Sequence, residues 1–156
     1  MSWLSSTTSA PMGASPASAA AWASAIARRI AAGLDLAPLP PATMTAMNAF
    51  LPANWSHGNP VDIIGDAPVE RYVQALQVLK DDAATGAVLF IHAPTAIVPS
   101  AAIARAIAPL AQASSRNILA CWLGGDAVAE ARQLCAAAGI PTFGTPERSE
   151  ERRVGK

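Results

Sequence analysis

Charge is scarce in this chain. Only 14% of its 156 residues are Asp, Glu, Lys or Arg, and the 11 basic and 11 acidic ones cancel. With no basic stripe interleaved with aromatics, the electrostatic footprint of a nucleic-acid binder is missing, and no nucleic acid is expected as a partner. Uninterrupted apolar runs of 18 residues are also missing, so no membrane span is expected. The two cysteines, Cys121 and Cys135, stand in apolar surroundings without a C-x-x-C or Cys/His grouping. That argues against a zinc site or a redox pair and fits buried thiols in a reducing cytoplasm. Two histidines, His57 and His92, with no partner cysteines or carboxylates nearby in sequence, are too few for a metal site. There is no glycine-rich dinucleotide fingerprint and no serine in a nucleophile elbow. Residues 1–27 carry no charge and lack the basic start and continuous apolar stretch of a secretory signal, so the expected location is cytoplasmic.

What the chain has is enough length for one domain, which at this size buries roughly 70% of its unfolded surface. Its 52% hydrophobic content is largely alanine, the signature of helix faces and tight packing. Composition divides it into three parts. Residues 1–20 are Ser, Thr, Ala and Pro with scattered Trp3, Leu4 and Met12, and are expected to be a disordered or loosely attached leader foreign to the core. Residues 21–147 form the expected domain. The end is different again: Glu147 to Lys156 holds seven of the 22 charged residues. The run Arg148-Ser149-Glu150-Glu151-Arg152-Arg153-Val154-Gly155-Lys156 resembles a translated sequencing-adapter read-through, and 148–156 is expected to be an exposed tail with no place in the core.

From about Leu34 onward, short branched apolar runs alternate with alanine-rich segments, the pattern of βα units in a parallel sheet. Ala87-Val88-Leu89-Phe90-Ile91 reads as a central strand, uniformly apolar because helices cover both faces. Residues 118–123 and 60–64 read as further strands. Ile140-Pro141-Thr142-Phe143 reads as an edge strand, since its proline cannot donate to a ladder. Helices are expected from Asp66 or Pro68 to Asp81, from Pro99-Ser100 onward, from Asp126 to Gly139, over Thr43–Leu51, and over Trp22–Ala32. Together these predict an α/β fold, a flavodoxin-like three-layer parallel sheet with right-handed crossovers, in which the first strand has no candidate.

The segment Pro52-Ala53-Asn54-Trp55-Ser56-His57-Gly58-Asn59-Pro60-Val61-Asp62-Ile63-Ile64-Gly65-Asp66-Ala67, followed by Glu70-Arg71-Tyr72 and Ala75-Leu76, resembles the ligase-CoA domain of NDP-forming acyl-CoA synthetases. The resemblance continues through Ala87–Ile91, Pro94-Thr95, Leu119-Ala120-Cys121-Trp122-Leu123-Gly124-Gly125 and Ala138-Gly139-Ile140-Pro141, covering roughly 34–147. The family includes ADP-forming acetate-CoA ligases and proteins in which the same domains are fused to a GNAT-type protein lysine acetyltransferase. It implies a reaction in which acid, CoA and ATP exchange with acyl-CoA, ADP and phosphate through a phosphohistidine carried on another domain. It further implies CoA, ATP and Mg for the complete enzyme, none of them held by this chain. The implied partners are the CoA-binding, phosphohistidine and ATP-grasp domains. The segment ahead of Trp22 lacks the Asn-x-Gly-Gly turn of related domains, so the resemblance is to a truncated domain, inactive alone. The alternatives are a non-catalytic interaction or small-anion-binding module and an inactive fragment.

No catalytic residue is assigned. For phosphate, the candidate is the start of the helix at Ser100, Ala101 and Ala102, where unpaired N–H groups and the helix dipole favour an anion; the plain reading is a helix start that binds water. Thr95 lies in the loop after the central strand, where open α/β sheets bind ligands. Gly124-Gly125-Asp126 is a second site of the same kind, or simply a tight turn. Asn59, Asp62, Gly65 and Asp66 either shape the site or serve as a strand entry and, at Asp66, a helix N-cap. Neither His57 nor His92 is read as the phosphoryl acceptor, for lack of a glycine-rich loop at the first and a carboxylate at the second. A response-regulator receiver is excluded by Ile91-His92-Ala93, where that fold ends its third strand in aspartate.

Overall fold

The computed structural model describes residues 2–6 and 36–144. Within them lie strands β1 (Ser2–Ser6), β2 (Val61–Asp62), β3 (Ala87–His92), β4 (Asn117–Trp122) and β5 (Thr142–Phe143). Helices α1 (Pro41–Asn48), α2 (Val69–Asp81), α3 (Ser100–Gln112) and α4 (Ala129–Ala137) alternate with them, the last entered through a 3-10 turn at Gly125–Val128. The sheet order is β2-β1-β3-β4-β5. β3 and β4 pair in parallel from Ala87↔Asn117 to His92↔Trp122, and β4 and β5 in parallel at Ala120↔Thr142 and Cys121↔Phe143.

Side-chain alternation along β3 and β4 divides the core between two faces. Val88, Phe90, Ile118, Ala120 and Trp122 join one buried cluster with Tyr72, Leu76 and Leu79 of α2, Ile103 and Ile107 of α3, and Ala131 and Cys135 of α4. On the far face Leu89, Leu119 and Cys121 form a second cluster, with Leu36, Ile91, Leu123 and Phe143 packed against it. Both faces of the central pair are thus covered, which is why its strands read as unbroken apolar runs rather than as alternating ones. The three- and four-residue spacing of apolar positions in α2 and α3 supplies the stripes that meet this sheet.

Several boundaries move, each for a local reason. The strand expected over 60–64 shortens to two residues because Ile64 adopts φ 68 and turns the chain away. α2 starts after Pro68, so Asp66 is not its N-cap. Asp66 instead accepts from Arg71 Nη1 at 2.9 Å. The helix expected from Asp126 begins as a 3-10 turn, and it ends at Gly139, whose φ of 76 suits the helix-ending role read for it. α3 runs through Pro109, within a turn of its end, where only one internal hydrogen bond is forfeited.

The larger correction concerns the leader. Ser2–Ser6, expected to be disordered or loosely attached, forms β1 between β2 and β3 and antiparallel to both. Composition gave no warning because backbone pairing does not depend on side-chain type: a strand-wide gap with buried backbone groups on either side is costly, and any extended segment can satisfy it. The flavodoxin-like position with no sequence candidate is therefore filled, but by a strand of reversed direction. The predicted helix over Trp22–Ala32, the remainder of the leader and the 148–156 tail lie outside the described residues.

Candidate functional site

Because β2, β3 and β4 run the same way, their carboxyl ends open at one end of the sheet. The following loops, 63–68, 93–99 and 123–125, gather there. The β3 and β4 loops are held close: Leu123 N–H donates to His92 O at 2.8 Å. Gly124, at φ 124, sits so close to Pro94 that an added Cβ would lie 2.8 Å from its Cγ. The β2 loop is two strand positions from β3, about 10 Å at the usual interstrand spacing.

At the start of α3, Pro99 is the N-cap residue and offers no side-chain cap to the first turn. Of the three amides read as phosphate donors, Ala102 N–H is already bonded to Pro99 O at 3.0 Å, and Ile103 N–H shares the same acceptor at 3.4 Å. Ser100 and Ala101 are the N–H groups that a helix start cannot satisfy internally. The nearest cation in sequence, Arg105, is engaged by Glu130 on α4. Anion affinity at this point rests on backbone donors and the dipole.

Beside this helix start lies a buried pair that sequence reading did not single out. His92 is fully buried at the end of β3, and its Nε2 lies 2.9 Å from Oγ of Ser100, which is itself buried. Tyr72, Phe90 and Trp122 surround the imidazole at centroid distances of 6.0, 6.0 and 5.0 Å. Burial pushes the His92 pKa down to about 4, so the ring is neutral near pH 7. With Nδ1 lacking a hydrogen-bond partner, the cheaper tautomer carries the proton on Nε2 and donates it to Ser100 Oγ, since an unmet lone pair costs less than an unmet N–H. The pair ties the start of α3 to the end of the central strand. The signal for it was a histidine ending an apolar strand eight residues before a helix-starting serine.

The β2 elements divide. Asp62 Oδ1 accepts from Ile64 N–H at 2.9 Å, and Arg71 Nη1 donates to Ile63 O at 3.1 Å and to Asp66. These bonds hold the left-handed Ile64, an unusual conformation for a β-branched residue. Gly65 is exposed and carries no positive φ. The chain therefore turns at Ile64, one residue before Gly65. Asn59 lies before β2, on the side away from the loops, and its Nδ2 donates to Ala37 O at 3.0 Å. Thr95 is half-buried in the β3 loop. The structure thus groups Thr95 with Ser100, Ala101 and Ala102, sets Asp62, Gly65 and Asp66 on the neighbouring loop, and leaves Asn59 apart. His57 is exposed, its ring tilted against that of Trp55 at a centroid distance of 4.8 Å, with Nε2 2.9 Å from Ala53 O. Among the described residues no group of three or more His, Cys, Asp or Glu side chains could hold a metal ion. Nor does any helix among them have the length and apolar character to cross a membrane.

Comparison with known proteins matches residues 15–150 to the family model of the Ligase-CoA domain. An ADP-forming acetate–CoA ligase (isoform I) of Archaeoglobus fulgidus is 35% identical over 117 residues, 75% of this chain and 16% of that protein. Among solved structures, the dinucleotide-forming acetyl-coenzyme A synthetase 1 of Ca. Korarchaeum cryptofilum superposes with a TM-score of 0.70 at 25% identity, over 85% of this chain and 29% of that one. The same values hold for its complex with phosphate and ADP. PH0766 of Pyrococcus horikoshii OT3 superposes with a TM-score of 0.68 at 25% identity, over 88% of this chain and 32% of that one. The chain spans under a third of each of these relatives.

Proposed function

The chain belongs to the Ligase-CoA domain family, and on that premise we propose that it is one domain of an ADP-forming acyl-CoA synthetase, acting on acetate or a similar short acid. In that reading, acid, CoA and ATP are converted to acyl-CoA, ADP and phosphate by the complete enzyme, through a phosphohistidine on another domain. This domain supplies a supporting surface: the start of α3, with the amides of Ser100 and Ala101 facing the phosphoryl group and Thr95 and the 62–66 loop shaping its surroundings. The observation that carries the reading is the 35% identity to the archaeal acetate–CoA ligase, which spans most of this chain. The buried His92–Ser100 bond supports it, because a helix start anchored to the central strand is a fixed platform for an anion.

In this reading nucleotide, metal and CoA belong to the CoA-binding, phosphohistidine and ATP-grasp domains, and neither His57 nor His92 is the phosphoryl acceptor. The same domains fused to a lysine acetyltransferase would use this surface in the same way.

The test is reconstitution. A form of the Archaeoglobus fulgidus ligase lacking the matching segment is mixed with this chain, and ADP formation dependent on acetate and CoA is measured. Recovery of turnover is expected from the mixture and none from this chain alone. Co-elution of the two polypeptides without turnover refutes the reading, as does stable labelling of His57 or His92 by ATP.

A further inference from the structure

Ser100 carries a buried hydroxyl whose hydrogen bonding is half complete. The residue is 7% exposed, and its Oγ lies 2.9 Å from His92 Nε2. The imidazole has no freedom to turn, because Phe90 stacks on it at an interplanar angle of 23° and Tyr72 and Trp122 each meet it at 62°. Nδ1 has no partner inside this enclosure. A proton there would leave a buried N–H unmet, so the proton sits on Nε2 and Ser100 Oγ is the acceptor. A serine hydroxyl that accepts still has its own proton to donate. Among the described residues that proton has no acceptor, since His92 Nε2 is the one partner of Ser100 Oγ. A serine inside a helix would turn it to the carbonyl one turn back. Ser100 is the first residue of α3 and has no such turn behind it. A buried polar hydrogen left unmatched is costly, and points to an acceptor supplied from outside the chain.

We propose that His92 is a positioning residue: by donating to Ser100 Oγ it leaves the hydroxyl proton free for the phosphoryl group, as a third donor beside the amides of Ser100 and Ala101. This role rests on the phosphoryl-transfer function proposed for the start of α3 and deepens it. His92 touches no ligand and acts through Ser100. The hydroxyl and the first amide belong to one residue and the second amide to the next, so one tetrahedral anion spans all three. Three terminal phosphoryl oxygens then face three donors, none of them charged. Because the surrounding rings fix the imidazole, the imidazole fixes the hydroxyl, and less freedom is lost on binding than a free serine rotor would lose.

The full chain, labelled with nitrogen-15, is titrated with inorganic phosphate at neutral pH while the His92 imidazole and the amides of residues 100–103 are followed by NMR. The imidazole should be neutral with its proton on Nε2. Phosphate should shift the amides saturably and move the Nε2–H resonance downfield with the same midpoint, because a hydroxyl that donates to an anion becomes a stronger acceptor. A histidine that only tied α3 to β3 would not respond in this way. His92→Met and Ser100→Ala should each weaken phosphate binding by roughly two- to tenfold, the net worth of one hydrogen bond. His92→Gln, whose amide nitrogen reaches as far along the side chain as Nε2, should recover most of that loss. If the Met variant does not fold, the parent spectra decide alone. A parent whose amides ignore phosphate removes the anion site and this role with it. A parent that binds phosphate with the imidazole proton on Nδ1, with a stationary Nε2–H, or with affinity unchanged in His92→Met overturns the role of His92 alone and leaves the two amides as the site.

Discussion

Replacing Gly124 by alanine tests whether the β3 and β4 loops are locked together as the geometry requires. Gly124 has φ 124 and ψ 17, beyond the small left-handed well that other residues visit. A Cβ there would lie 2.8 and 2.9 Å from Cγ and Cδ of Pro94, a ring that cannot swing aside, and 3.5 Å from Cγ1 of Val128. Two costs add: roughly 1–3 kcal/mol for the backbone and roughly 1–3 kcal/mol for overpacking, giving about 2–6 kcal/mol. Gly125 and Gly139 provide the controls, because their φ values of 57 and 76 are left-handed but a Cβ at either meets nothing within 4 Å. Alanine there should cost only the left-handed penalty, about 1–2 kcal/mol. Urea unfolding with a shared slope reads the three variants as midpoint shifts. Pro94→Ala in the Gly124→Ala background should return the overpacking part and leave the backbone part. If Gly124→Ala is within about 0.5 kcal/mol of Gly125→Ala, the close approach to Pro94 is not a real constraint and the argument for a rigid crevice between these loops fails.

Three further predictions follow from the site. As pH falls below the ordinary imidazole value of 6.5, the unfolded chain takes up a proton that buried His92 refuses until about 4. Stability should then drop by about 2 kcal/mol between pH 6.5 and 5, a loss that His92→Phe/Ser100→Ala should remove; a parent profile flat over that range contradicts the burial argument. Asp62→Ala leaves the Ile64 N–H without its acceptor at a left-handed residue and should cost about 1–2 kcal/mol, against less than about 0.5 for Asp62→Asn; equal costs for the two in thermal unfolding would show that the acceptor oxygen is not what matters. Phosphate should shift the amides at 100–103 in the parent, and Ala101→Asp should abolish those shifts while stabilising α3 by roughly 0.3–1 kcal/mol, because its carboxylate takes the same donors and repels the ligand. An unmoved parent spectrum reduces the site to a helix start.

The parts legible in sequence were those that local chemistry decides. The 87–91 strand declared itself because a strand covered on both faces has no polar side, and Gly139 because a helix end in the left-handed region favours glycine. Asp66 misled because an aspartate two residues before a proline-led helix has two uses, N-cap or ion-pair partner. Arg71, one turn into α2, decides for the second. The turn at Ile64 could not be read, since nothing about isoleucine announces a positive φ; it is imposed from outside by the Asp62 and Arg71 bonds. His92 was placed at its strand end, but its partner was not, because the distance from Ser100 is set by how the 93–99 loop folds back. β1 was illegible for a different reason: its pairing is a property of the gap between two other strands and not of its own residues.

The direction of β1 also bears on what the candidate site contains. In a parallel sheet every strand contributes one loop to the carboxyl end, and the crevice forms where the strand order reverses, between the first and third strands in this arrangement. Here β2, β3 and β4 contribute the 63–68, 93–99 and 123–125 loops, but β1, running the other way, sends its own carboxyl end, Ser6, to the opposite edge beside Ala87. The centre of the crevice is therefore flanked by loops from both sides and receives no strand-following loop of its own. At the start of α3 the backbone donors reduce to the two amides of Ser100 and Ala101, because Pro99 O takes the N–H groups of Ala102 and Ile103, and Arg105 is held by Glu130. Neutral donors and a helix dipole make a weak anion site, which suits the proposed role of receiving a phosphoryl group from another domain and releasing it again.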